Sequence, residues 1–93
     1  MKIYGSNLCP STLNALRILT EHHYMPGFVN ITGSIGLMKE YIKLRETNPV
    51  FQELLGTDSL GFPFFELDDG TWTRDAKKAF ASVGIEAELS YHK

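Results

Sequence analysis

The 93-residue sequence predicts an α/β fold, a four-stranded mixed sheet with helices packed on it. Three observations carry that expectation. The opening MKIYGSNLCPST reads as a strand, a polar turn and the start of a helix. A second β-branched run and an interrupted helical stretch follow. Then FFELDDGTW has the form of an antiparallel hairpin closed by an Asp-Gly turn. Two strands joined through helices and two joined by a hairpin make the sheet a mixed one.

Each element has a local cause. Ile3 and Tyr4 suit a pleated surface, and Gly5-Ser6-Asn7 ends that strand with turn chemistry. Pro10 fits the first turn of a helix, where its missing N–H costs nothing, and Leu13, Ala15, Leu16, Ile18 and Leu19 repeat at helical spacing to about His23, before Pro26-Gly27. Phe28-Val29-Asn30-Ile31 is the second strand, and Thr32 or Ser34 caps the next helix. In that helix Leu37, Met38, Tyr41, Ile42 and Arg45 share one side, and Lys39, Glu40, Lys43 and Glu46 face water. Asn48-Pro49 opens a short helical piece carrying Val50, Phe51, Leu54 and Leu55 and closed by Gly56. Phe64–Leu67 and Thr71–Thr73 flank the turn Asp68-Asp69-Gly70, where the paired carboxylates have a conformational job. Asp75 caps a last helix with Ala76, Ala79, Phe80 and Val83 inward, ended by Gly84. Residues 85–93 form a tail of mixed signals, so the domain proper is 1–84.

Composition narrows the function classes. Hydrophobic residues at 43% and charged residues at 22% are those of an ordinary globular chain, and its length suits one small core. A net charge of −2 with scattered lysines and arginines provides no basic stripe, so nucleic acid is not an expected partner. The chain's single cysteine cannot form an internal disulfide, and no long apolar run suggests a membrane segment or leader. The expectation is a cytoplasmic monomer with no membrane attachment. His22-His23 and His92 lack metal-ligand spacing, so no metal is expected.

Cys9 is the residue with chemistry. It precedes Pro10 at a strand-to-helix junction, where free backbone N–H groups and the positive end of the helix dipole favour an anion, and the thiolate is the nucleophilic form of cysteine. A small, inert, buried cysteine fits the same composition.

KIYGSNLCPST followed by an apolar helix resembles the active-site region of glutaredoxins, in which a strand and a few polar residues lead to Cys-Pro-Tyr-Cys. GFPFFEL followed by DDG and TW is similar to that family's Thr-Val-Pro segment and hairpin. The resemblance covers most of the chain and implies a thioredoxin-like fold in the order β-α-β-α-β-β-α, with helices on both faces of the sheet. It implies that Pro63 is a cis-proline beside Cys9 and that the backbone of Phe62 pairs with glutathione or a thiol-bearing protein. It also makes Pro10, Arg74 and Asp75 candidate binding residues. Where glutaredoxins carry a Gly-Gly pair before the last helix, Thr73-Arg74 stands here. Arg74 then either attracts a carboxylate or is a solvated surface arginine, and Asp75 either meets the glutathione amine or caps the helix. Lys43 or Arg45 is placed to reach the glycyl carboxylate, or lies on an exposed helix face.

Position 12 decides the mechanism that the resemblance permits. A second cysteine there would resolve a mixed disulfide internally, but the residue is Thr12, which leaves a monothiol route with Cys9 as nucleophile and glutathione as co-substrate. The family's lysine three residues before the cysteine is replaced by Ser6, so support for the thiolate falls to the helix start, with Thr12 O–H and N–H as donors. Two other readings stand beside this oxidoreductase. One is a non-catalytic binding or adaptor module that uses the surface around Phe62 and Pro63. The other is a glutathione-assisted carrier of an iron-sulfur cluster, although CPST departs from the Cys-Gly-Phe-Ser of the family's cluster-bridging members.

Overall fold

Alternation along the strands builds the two faces of the sheet. In the computed structural model, which describes residues 1–89, strand β1 (Lys2–Gly5) pairs in parallel with β2 (Gly27–Asn30) and antiparallel with β3 (Phe64–Glu66). Strand β4 (Trp72–Thr73) continues the sheet antiparallel to β3, so the order is β2-β1-β3-β4. Ile3 stands opposite Phe65, and Tyr4 opposite Phe64. Successive side chains point to opposite faces, so these two pairs feed two separate cores.

Ile3 and Phe65 meet helices α1 (Pro10–Glu21) and α3 (Ala76–Ser82) through Ala15, Leu19, Ala76, Ala79 and Phe80. The opposite face receives helix α2 (Ile35–Thr47) and a 3-10 helix, Pro49–Leu54, through Tyr41, Phe51, Leu54 and Phe64. The α/β class, the mixed four-stranded sheet and helices on both of its faces all agree with the sequence reading. Capping does too. Ser34, Asn48 and Asp75 accept hydrogen bonds from the N–H groups of Leu37, Val50 and Lys78. In the hairpin turn, hydrogen bonding from Thr71 holds the Asp69 carboxyl below its usual range, in keeping with a conformational role.

Two expectations are corrected. Met38 and Ile42 do not share the buried side of α2. They are 39% and 54% exposed, and the inward side chains are Leu37, Tyr41, Leu44 and Arg45. The helix packs on the 3-10 helix Pro49–Leu54 and on the turn Ile31–Gly33. Leu55 faces solvent because the 3-10 helix ends at Leu54. In the tail, described residues 85–89 carry no regular element, and Ile85 is buried in the core under α1 and α3. Residues 90–93, including His92, lie outside the described part.

Tyr41 links this packing to a measurable pH dependence. It is 7% exposed, and its hydroxyl donates to the Leu60 carbonyl. Burial pushes its phenol up to about 12, against an opposing pull from Arg45 and Arg74. An unfolded chain ionises the same phenol near pH 10, so it binds fewer protons than the native state between pH 10 and 12. The stabilisation is complete below pH 10 and is lost as the pH rises to 12, amounting to about 3 kcal/mol. Urea midpoints measured across that range should fall more steeply for the wild type than for Tyr41→Phe. Parallel curves would contradict this account of Tyr41.

Candidate functional site

The loop between β1 and α1 is fixed from several sides. Ser6 is buried, and its Oγ lies 2.5 Å from Thr32 Oγ1 while accepting from the Leu8 N–H at 3.0 Å. The Ser6 carbonyl accepts from the Cys9 N–H at 3.0 Å, and the Ser6 N–H donates to Thr12 Oγ1 at 3.3 Å. Asn7 N–H donates to Asn30 Oδ1 at 3.0 Å, tying the loop to the end of β2. These bonds satisfy backbone groups that a turn would otherwise leave to water, and they fix where α1 begins.

Cys9 is the residue that results at the helix start. Its backbone is extended, its carbonyl accepts from Leu13 N–H, and Pro10 follows as the first helical residue. The thiol makes no capping bond and is half-buried. Cys9 instead lines a cleft of about 960 Å³ together with Ser6, Leu8, Thr32, Phe62 and Pro63. Glu53, Asp58, Leu60, Arg74 and Asp75 are also among the residues that line it. The Phe62–Pro63 peptide is cis, as expected, and Pro63 is buried.

Segment Gly61–Pro63 lines the same cleft as Cys9 and is tightly packed at its first residue. Gly61 has φ +76°, and a Cβ there would stand 2.7 Å from Leu54 Cδ1 and 3.2 Å from the Tyr41 hydroxyl. Both the backbone conformation and the space demand glycine. Phe62 is half-buried against Tyr41, with ring centroids 4.9 Å apart, whereas Phe64 and Phe65 are core residues. Among the described residues the Phe62 N–H and C=O have no hydrogen-bond partner.

The structure therefore brings Cys9, Phe62, Pro63, Arg74 and Asp75 to one cleft, although they come from three regions of the chain. It places the other candidates elsewhere. Pro10 is exposed on α1, outside the cleft lining. Thr12 is fully buried beneath Gly5, and its hydroxyl oxygen accepts from Ser6 rather than donating to the thiol. Its part is to hold the loop that presents Cys9.

Arg74 is not a solvated surface arginine. Its Nε donates to the Val50 carbonyl at 3.0 Å, and its guanidinium is paired with the Glu53 carboxylate. It does attract a carboxylate, but one from its own chain. Asp75 caps α3, as the local pattern implied, and is exposed at the rim. Arg45 does not face the cleft. It donates to the carbonyls of Leu54, Thr57 and Ser59 at 2.9–3.2 Å, bracing the loop that forms one wall.

From the sequence neither Glu53, Asp58 and Leu60 nor Thr32, named there as a helix cap, was expected at the cleft. Gly61 immediately before Phe62-Pro63 was the one local signal of a crowded turn at this wall. Among the described residues no group of three or more His, Cys, Asp and Glu side chains is gathered as a metal ion would require. No described helix is long and apolar enough to cross a membrane. No family model, curated protein or solved structure matches the chain.

Proposed function

We propose that this chain has a thioredoxin-like fold of the glutaredoxin type and acts as a monothiol, glutathione-dependent thiol–disulfide oxidoreductase with Cys9 as its nucleophile. The observation that carries this reading is the meeting of Cys9, at the start of a 12-residue helix, with Phe62 and Pro63 in one open cleft. A thiol there has the positive end of the helix dipole behind it and room for a second sulfur in front. The unpaired backbone of Phe62 offers strand-like hydrogen bonds to a thiol compound lying along the cleft.

The reaction on this reading has two exchanges. The Cys9 thiolate attacks the glutathione sulfur of a protein–glutathione mixed disulfide. A bond from Cys9 Sγ to that sulfur forms as the bond to the protein sulfur breaks, and the protein leaves as a thiolate that takes a proton from water. A second glutathione, as its thiolate, then attacks the same glutathione sulfur and displaces Cys9, again as thiolate. Per turnover one glutathione thiol is consumed, one protein thiol is restored and one glutathione disulfide is formed. With Thr12 buried and lacking sulfur, the second thiol has to come from outside the chain.

Glutathione-dependent reduction of a glutathionylated peptide, followed for wild type and Cys9→Ser, tests the proposal. Cys9→Ser should fall to the uncatalysed rate, because a serine hydroxyl does not take the thiolate's place in this exchange. Equal rates for the two proteins would end the catalytic reading and leave a binding module that uses the same cleft.

A further inference from the structure

Which thiol compound the cleft around Cys9 holds depends on its surface and its charge. One part of the lining is apolar: Leu8 is 78% exposed and Leu60 60% exposed, and half-buried Phe62 and buried Pro63 belong to the same lining. The charged part consists of Glu53, Asp58 and Asp75 against Arg74 as the sole cation in the lining formed by the described residues. Arg74 and Glu53 are paired with each other, so together they add little net field. Asp58 and Asp75, both exposed, then set the sign of the rim. Lys77, beyond Asp75, stands 3.4 Å from Glu88 and is outside the cleft lining.

Glutathione carries two carboxylates and one ammonium, so its excess charge repeats that of the rim. A cationic peptide is complementary to it. An exposed apolar surface next to an acidic rim also matches an extended segment, in which neighbouring side chains diverge and the backbone pairs with free backbone groups such as those of Phe62.

We propose that the cleft docks the polypeptide side of the mixed disulfide and selects cysteines flanked by lysine or arginine together with an apolar residue. This inference rests on the exchange reading of Cys9, and the covalent steps are those given above. Asp58 and Asp75 supply the charge selection, and Leu8 and Leu60 supply the apolar contact.

Two synthetic glutathionylated peptides, identical except that the cysteine is flanked by Lys and Leu in one and by Glu and Leu in the other, provide the test. Turnover with glutathione is measured as kcat/KM at low and high salt for wild type, Asp58→Asn and Cys9→Ser. The basic peptide should be preferred by about three- to tenfold at low salt, a scale set by one or two solvent-exposed charge pairs. The preference should shrink at high salt and in Asp58→Asn. If the acidic peptide reacts as fast as the basic one, and Cys9→Ser turns over neither, the substrate class is wrong and the exchange reading stands. If wild type turns over neither peptide faster than Cys9→Ser, the exchange reading itself fails and this inference falls with it.

Discussion

Phe64→Ala is expected to remove about 3–5 kcal/mol of folding stability, the usual cost of emptying a buried phenylalanine site. Phe64 is 1% exposed and contacts four aromatic rings, with centroid distances of 5.0 Å to Tyr4, 5.5 Å to Tyr41, 4.9 Å to Phe51 and 5.5 Å to Trp72. Its neighbours are therefore large, planar side chains held by one another, which cannot collapse readily into the space it leaves. In a domain of this size the loss is a large share of a total of roughly 5–15 kcal/mol. The effect should also reach the cleft, because Tyr41 touches Phe64 on one side and Phe62 on the other. Urea unfolding of Phe64→Ala and Phe64→Leu measures the first effect. A loss below about 1 kcal/mol for the alanine variant would mean that the second core is not packed as described. Phe64→Leu, which keeps most of the volume, should lose less.

Gly5→Ala is expected to destabilise the fold by about 1–3 kcal/mol, the cost of forcing an extra carbon into a filled interior. The reason is local crowding and not backbone conformation, since Gly5 is not among the glycines with positive φ. An alanine Cβ would stand 2.4 Å from Thr12 Oγ1 and 2.8 Å from Thr12 Cγ2. Thr12 is β-branched and fully buried, so it has no easy rotamer escape. What yields instead is the first turn of α1, and with it Cys9. Thr12→Ala removes both clashing atoms, so the double variant should recover part of the stability lost in Gly5→Ala, and the two substitutions should be non-additive. Thermal unfolding of the four proteins provides the measurement. Additive losses would place the strain elsewhere.

The elements that were legible in the sequence are those with short-range causes. The hairpin follows from Asp68-Asp69-Gly70, the caps from Ser34, Asn48 and Asp75, and the helix start from Pro10. The covered side of α2 was not legible in the same way. Its apolar residues spread over a broad arc, and only the packing of distant segments decides that Tyr41 and Leu44 turn inward while Met38 and Ile42 do not. The site divides along the same line. Cys9 and Phe62-Pro63 were readable from a resemblance in order and spacing, and they do share one cleft. For Arg74 a carboxylate partner and a solvated surface position both stayed open in the sequence, because Val50 and Glu53, with which it hydrogen-bonds, are more than twenty positions away in the chain. Arg45 looked like a candidate for an external carboxylate, but its Nη2 donates to carbonyls that only the folded loop gathers around it. Asp58 carries no local mark of its position at all.

The hydrogen bonds from Arg45 to Leu54, Thr57 and Ser59 have a consequence for how a partner would associate. They tie the end of the 3-10 helix and the irregular stretch through Thr57 and Ser59 to α2, so backbone entropy of that stretch is already spent when the chain folds. Fixing a residue's backbone costs about 1–2 kcal/mol, and a loop ordered only on binding would subtract that from affinity residue by residue. A peptide of the kind proposed above would meet a wall already held by these bonds, so its docking would not include a step that orders this loop.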